Sequence, residues 1–276
     1  MNVELIRWRE LDELSGVPMT DIFGLAGIFV AGIIAGAINS VAGGGTLISF
    51  PSLVAFGESQ IVSNATNTAA LWPGSLSSAI GYRKDTPMPG GLLATLLIPS
   101  FIGGILGAWI LVSTPPGIFN IVVPFLVLFA TLLFAFRDHI TRRFKHDNFK
   151  EEYVSTRSRI WGFFFQLFVA TYGGYFGAGI GILMLGSLSI MGLRDIHRMN
   201  AIKTPLAAII NCTAFVLFAV KGLVAWDLAV VLGIGAILGG YVGARSAKHV
   251  NSRILQIFVV MIGLLVSAWL LFKVFY

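Results

Sequence analysis

Two glycine-rich stretches carry the most distinctive chemistry of the chain. Residues 39–46 read Asn-Ser-Val-Ala-Gly-Gly-Gly-Thr, and residues 172–181 have glycine at five of ten positions. Both stretches interrupt long apolar runs, and glycine costs about 1 kcal/mol relative to alanine inside a helix. Each is therefore predicted to break a helix. At membrane depth, the freed backbone groups need partners from protein, water or a ligand.

Helix breaks of this kind suit an anion. The N-terminus of a helix presents unpaired N–H groups and partial positive charge, and glycine lets the backbone approach a ligand closely. We expect helices to begin near Thr46 and Ile180. The predicted anion donors are the backbone of Gly43, Gly44, Gly45, Gly177 and Gly179 and the side chains of Asn39, Ser40, Thr46 and Thr171. The alternative interpretation is that these glycines only let helices pack closely.

A second set of polar residues occurs in a duplicated Asn-Ala-x-x-Thr motif, whose Asn and Thr share one helix face. Lys203 within it is the only basic residue well inside a predicted span, and an intramembrane charge is a functional hypothesis by default. We interpret Lys203 as a countercharge for the anion; the alternative is that it extends to the cytoplasmic interface. The motif adds six predicted binding residues: Asn64, Asn67, Thr68, Asn200, Lys203 and Thr204.

Composition places the chain in a membrane. Of 276 residues, 56% are hydrophobic and only 12% are charged, whereas soluble domains carry roughly 25% charged residues. The net charge of +6 comes from basic residues between the apolar runs, a pattern that indicates membrane topology and argues against nucleic-acid binding. A single cysteine and four histidines in or beside predicted loops predict no disulfide framework, no metal site and no cofactor.

We predict an all-α polytopic membrane protein with two pseudo-symmetric repeats, each containing a glycine-broken helix. The expected segments are a polar N-terminal segment (1–19), a first repeat (20–136), a basic cytoplasmic connection (137–159) and a second repeat (160–276). Apolar runs that predict spans or half-spans cover residues 22–42, 46–56, 61–82, 90–112, 117–136, 160–172, 180–191, 196–220, 228–244 and 254–275.

An internal duplication is visible in the residues themselves. Residues 64–68 match 200–204, and Gly-Gly-Ile-Leu-Gly-Ala at 103–108 matches Gly-Gly-Tyr-Val-Gly-Ala at 239–244. Both matches have an offset of 136 residues, which indicates a repeat. Chance similarity between glycine-rich membrane helices is the alternative.

The basic residues favour inverted repeats over parallel ones. We place the central connection inside. If each broken element reverses or crosses twice, fourteen basic residues then lie inside and four lie outside. If each broken element crosses once, the division is thirteen against five. The positive-inside rule therefore mildly favours inverted repeats with both termini outside.

These motifs, in this order, resemble the sulfite exporter TauE/SafE family of membrane proteins. The resemblance rests on the Ala42-Gly-Gly-Gly45 run before a proline-containing apolar segment, the Asn-Ala-x-x-Thr pair, the Gly-Ala-Gly-Ile-Gly stretch and the Gly-Gly-x-x-Gly-Ala motif. It covers about residues 22–275. It implies a multi-pass transporter of a bacterial-type inner membrane and transport of a small sulfur-containing anion, with sulfite itself less firmly implied.

The function expected is therefore export of a small anion, such as sulfite or an organosulfonate, by alternating access around the paired broken helices. A passive anion channel and an intramembrane enzyme are the alternatives. An enzyme is disfavoured because the predicted spans hold no histidine away from their ends and no carboxylate pair. The expected partners are the anion and the lipid bilayer, with no nucleic acid; the oligomeric state is left open, a homodimer included.

Overall fold

The computed structural model describes residues 22–83, 90–136, 156–191, 193, 195–247 and 252–275. This part of the chain folds into ten α-helices: α1 (Ile22–Val41), α2 (Thr46–Ala55), α3 (Gln60–Arg83), α4 (Gly90–Ser113), α5 (Pro116–Ala135), α6 (Thr156–Tyr175), α7 (Ile180–Ile190), α8 (Ile196–Val220), α9 (Trp226–Ser246) and α10 (Ser252–Phe275). The prediction of an all-α chain is confirmed. The polar segment 1–19 and residues 137–155 of the basic connection lie outside the described residues.

Six of these helices are long and apolar enough to cross a membrane: α1, α4, α5, α8, α9 and α10. Their outward faces carry large apolar side chains, among them Trp109, Leu265 and Phe272, which are 61%, 71% and 66% exposed. Lipid is the solvent that such faces fit. The chain is thus a multi-pass membrane protein, as its composition predicts.

Two short helices lie inside the bundle. α2 has 10 residues and α7 has 11, so each is about 15 Å long, half of a hydrocarbon core. They follow the first glycine segment (residues 42–45) and the second glycine segment (residues 176–179). All four residues of the first glycine segment are buried, so protein surrounds it.

The second interruption begins later than the sequence predicts. α6 continues through Gly173 and Gly174 to Tyr175, whereas the predicted span ends at residue 172. Gly174 lies against the backbone of Gly104 in α4, so closely that an added Cβ would come within 3.0 Å of that backbone. Gly174 and Gly104 therefore let α6 and α4 pack closely. This close approach offsets the cost of glycine in a helix.

Small residues also bring α1 and α9 into direct backbone contact. A Cβ on Gly32 or Gly36 would clash with the carbonyl oxygens of Leu232 and Ala236 respectively. α4 and α6 meet in the same manner, since Gly103 and Gly107 lie against the carbonyls of Leu167 and Thr171. Residue numbers rise together in both pairs, so the two helices of each pair run parallel.

The helices with the Asn-Ala-x-x-Thr motifs, α3 and α8, run in opposite directions. Tyr82 near the end of α3 packs with Ala201 near the start of α8. At the other end, the amide of Ala225, just beyond α8, donates to Thr66 Oγ1 near the start of α3 at 3.0 Å. The motif near the start of each of these two helices therefore lies beside the end of the other helix.

Candidate functional site

The two glycine stretches meet inside the bundle. Gly43 and Gly181 face each other so closely that a Cβ on either would clash with the Cα of the other. Gly43 also has φ +82°, a left-handed conformation that disfavours other residues. Contact between the first glycine segment and the start of α7 therefore requires glycine on both sides.

The amides at the start of α2 are open. Among the described residues, the N–H groups of Gly44, Gly45 and Thr46 donate to no acceptor, although all three residues are buried. Ala178, Gly179 and Gly181 at the start of α7 likewise have amides without an acceptor in this part of the chain. Buried N–H groups are nearly always paired, so these two positions are prepared for a ligand or water.

Lys203 reaches the first glycine segment from α8. Its Nζ donates to the carbonyls of Asn39 at 3.1 Å and Ser40 at 3.0 Å, in the last turn of α1. The residue is 1% exposed, so its ammonium is held inside the protein. A cation there offsets the partial negative charge at the C-terminal end of α1.

Asn200, one turn before Lys203, contacts the same place. Its Nδ2 donates to Val41 O at 3.3 Å, and Tyr82 OH donates to Ser40 O at 3.4 Å. The Oδ1 of Asn200 and the Oγ of Ser40 are buried and have no hydrogen-bond partner. An amide oxygen and a hydroxyl at the end of α1 thus have no partner in the described part of the chain.

Asn67, the repeat counterpart of Lys203, contacts α2. Its Nδ2 donates to Thr46 Oγ1 at 3.3 Å, and Ser49 Oγ donates to its Oδ1. Asn39 Nδ2 donates to Ser75 Oγ at 3.2 Å, which ties the end of α1 to α3. Asn39, Ser40, Thr46, Asn67, Asn200 and Lys203 therefore lie around the first glycine segment.

Other predicted site residues have different surroundings. The hydroxyls of Thr68 and Thr204 donate to Asn64 O and Asn200 O within their own helices. Thr171 Oγ1 donates to Leu167 O, and the Thr171 backbone packs against Gly107 of α4. The structure does not bring Thr171 to the first glycine segment.

The second glycine segment is more apolar than the first. The Phe176 ring packs edge-on against Phe50 and Phe119, with centroids 5.3 and 6.5 Å apart. Gly177 and Gly179 have φ of +79° and +75°, and Asn64 Nδ2 donates to Tyr175 O at 3.0 Å. Polar side chains are concentrated at the first segment, and helices from both halves of the chain contribute them.

Three residues of the first site were absent from the sequence prediction: Ser49, Ser75 and Tyr82. Ser75 and Tyr82 follow Thr68 at intervals of seven, which keeps them on one face of α3. That spacing is the signal that would have identified them. Ser49 has no comparable signal, because its role depends on the approach of α3 to α2. Within the described ranges, no group of three or more His, Cys, Asp or Glu side chains is placed to hold a metal ion.

Comparison with known proteins gives one family. The family model described as "Sulfite exporter TauE/SafE" matches residues 28–270. A "Probable membrane transporter protein" of Haemophilus influenzae is 27% identical over 245 residues, which cover 88% of this chain and 93% of the relative. "Probable membrane transporter protein ORF9" of Sinorhizobium sp is 28% identical over 90% of this chain and 92% of its own length. "Probable membrane transporter protein YfcA" of Escherichia coli K12 is 26% identical over 89% of this chain and 88% of its own length. No solved structure matches.

Proposed function

The chain belongs to the sulfite exporter TauE/SafE family of membrane transporters, and we propose that it moves a small sulfur-containing anion that binds at the first glycine segment. The observation that carries this proposal is the set of three consecutive buried amides, Gly44, Gly45 and Thr46, that have no acceptor in the described chain. An oxyanion stripped of water needs several donors, and a helix N-terminus supplies them together with partial positive charge.

The surrounding side chains support the same assignment. Asn67 holds Thr46 beside these amides, and Lys203 brings one positive charge to the segment that precedes them. The neighbouring C-terminal end of α1 would repel an anion, because helix C-termini carry partial negative charge. Lys203 offsets that charge, so we assign it the role of making the segment electrostatically acceptable to an anion.

Alternating access is the mechanism we propose, with the two repeats inverted. The offset of 136 residues relates α1 to α6, α4 to α9 and α3 to α8. With this offset, the contact between α1 and α9 corresponds to the contact between α6 and α4. In addition, α3 and its counterpart α8 run in opposite directions. Both observations support inverted repeats, whose relative rocking would open the site to either side in turn. The proposal includes no catalytic step and places the protein in a bacterial-type inner membrane.

Flux in proteoliposomes tests the proposal. Purified protein is reconstituted with internal ³⁵S-labelled sulfite, sulfate or thiosulfate, and efflux is compared with that from protein-free vesicles. Efflux of at least one anion is expected, accelerated by unlabelled anion on the opposite side, as a carrier requires. Efflux without this acceleration would favour a passive channel. An absence of flux for the whole series and for sulfoacetate would contradict transport of sulfur oxyanions.

A further inference from the structure

We propose that the anion bound at the first glycine segment carries a hydrogen-bond donor of its own, received by Asn200 Oδ1 and Ser40 Oγ, an inference that rests on the proposed function. The ligand class is a singly charged oxyanion with an added hydroxyl, ammonium or acidic proton. A fully deprotonated oxyanion offers acceptors only. It would fit the open amides and accept from the Ser40 hydroxyl, but it would leave Asn200 Oδ1 without a partner.

The first step is that both acceptors are buried and unpaired. Asn200 is 2% exposed and Ser40 is fully buried, and neither Asn200 Oδ1 nor Ser40 Oγ has a hydrogen-bond partner among the residues that the structure describes. Buried polar side-chain atoms are paired in the large majority of cases. The amide oxygen of Asn200 can only accept, so it points to a donor that binds there, and the Ser40 hydroxyl beside it can accept from the same group.

The orientation of the Asn200 amide is set by its surroundings. Its Nδ2 donates to the carbonyl of Val41, so the opposite orientation would place Oδ1 against that carbonyl oxygen, acceptor against acceptor. The open atom is thus the oxygen. A ligand that meets it has to supply a proton.

Donors and acceptors lie close together along the chain. Val41, which Asn200 contacts, is three residues before Gly44, the first of the open amides. Three residues span at most about 10 Å. The helix termini reinforce the polarity, since the end of α1 favours a donor group and the start of α2 favours an anionic group. One end of the ligand is thereby selected for hydrogen-bond donation and the other for negative charge.

The experiment uses two sulfonates of equal heavy-atom count. In 2-hydroxyethanesulfonate the terminal group is a hydroxyl, and in 1-propanesulfonate it is a methyl. Dissociation constants are measured by calorimetry on the purified full-length protein in lipid nanodiscs. We expect the hydroxyl compound to bind roughly tenfold to a hundredfold more tightly, because the methyl compound leaves the buried Asn200 Oδ1 unpaired. Ser40→Ala and Asn200→Leu should each reduce this preference.

Ser267→Ala is the matched control, because Ser267 is a buried serine of α10 whose hydroxyl donates to Gly263 O. It should retain the full preference. Equal affinity for the two sulfonates, or no binding of either, would overturn the inference. So would Na⁺-dependent binding of 1-propanesulfonate that Ser40→Ala abolishes, since the acceptors would then belong to a cation. Efflux of the labelled anions and of sulfoacetate from proteoliposomes made with the same purified protein separates these failures from failure of the proposed function, which requires flux to be absent for the whole series.

Discussion

Lys203 and its repeat counterpart Asn67 show how duplicated sequence has become chemically asymmetric. Lys203 donates to two carbonyls at the end of α1, whereas Asn67 bonds side chains at the start of α2. The residues at the ends of α1 and α6 also differ. The offset of 136 residues aligns Asn39 and Ser40 with Tyr175 and Phe176. Both residues consequently serve the first glycine segment, one on each side of its glycines.

Lys203→Met keeps the length of the side chain and removes its charge. We expect anion flux to fall at least tenfold, because a hydrogen bond to a charged group contributes about 1.5–3 kcal/mol. Folded yield should be largely retained, since the substitution removes the desolvation cost of a buried charge and takes a donor only from two backbone carbonyls at a helix end. Lys273→Met is the control, because its Nζ lies 5.7 Å from the Trp269 ring centroid, in the last turn of α10. Wild-type flux in Lys203→Met proteoliposomes would disprove the role of the charge.

Asn67→Leu should weaken anion binding with little effect on the rest of the bundle. Thr46 loses the donor that holds its hydroxyl, and a side-chain hydrogen bond is worth about 1 kcal/mol. We expect roughly a fivefold rise in the dissociation constant for the transported anion. Gln166→Leu is the control, since Gln166 donates to Ser100 Oγ in the buried α4–α6 contact. That variant should lower the melting temperature alone, and equal affinities in the two variants would rule out a binding role for Asn67.

At the scale of helices, glycine has two uses that sequence alone does not separate. The boundaries of α8 agree with the predicted span at residues 196–220, because that run is long, apolar and bounded by polar residues. The end of α6 was predicted three residues too early, because Gly173 and Gly174 read as a break. They pack instead against neighbouring residues, including Gly104. Distinguishing these uses requires knowledge of which helix lies opposite each glycine.

The contact between the two glycine stretches leads to a prediction about Gly43. Gly43→Ala adds a Cβ that clashes with Gly181 Cα and places alanine at φ +82°. A left-handed conformation costs an L-residue roughly 1–2 kcal/mol, and the backbone clash adds to it. We expect a marked fall in both folded yield and flux, measured by fluorescence-detected gel filtration and in proteoliposomes.

Gly57→Ala separates the two causes. Gly57 has φ +108°, but its added Cβ would meet nothing within 4 Å. It therefore suffers conformational strain without a clash. If Gly57→Ala reduced yield and flux as much as Gly43→Ala, strain alone would explain both variants, and the contact between the stretches would not matter for function.

For the whole molecule, sequence predicted the class of protein better than the arrangement of its polar residues. Hydrophobic composition and the two matches at one offset indicated a duplicated helical membrane protein without any knowledge of contacts. The concentration of polar side chains at the first segment was not predictable, because it depends on α3 and α8 both reaching α1 and α2. Inverted orientation stays a prediction, supported by opposed helix directions.

Membrane sidedness provides the decisive test of the inverted arrangement. In a Cys212→Ser background, single cysteines are introduced as Ser113→Cys, Lys221→Cys and Ser246→Cys. With inverted repeats and the central connection inside, positions 113 and 221 face outward and position 246 faces the cytoplasm. Parallel repeats, with each broken element crossing once, keep position 113 outside but exchange the other two. Ser113→Cys is therefore the positive control for labelling from outside.

A membrane-impermeant maleimide applied to intact cells then distinguishes the two topologies. We expect labelling at positions 113 and 221, and labelling at 246 only after permeabilisation, because charged reagents cross hydrocarbon very poorly. Labelling of 246 but not 221 in intact cells would establish parallel repeats. Rocking of two opposed halves around the first glycine segment would then lose its structural basis, because parallel repeats lack the symmetry that exchanges the inner and outer sides of the membrane.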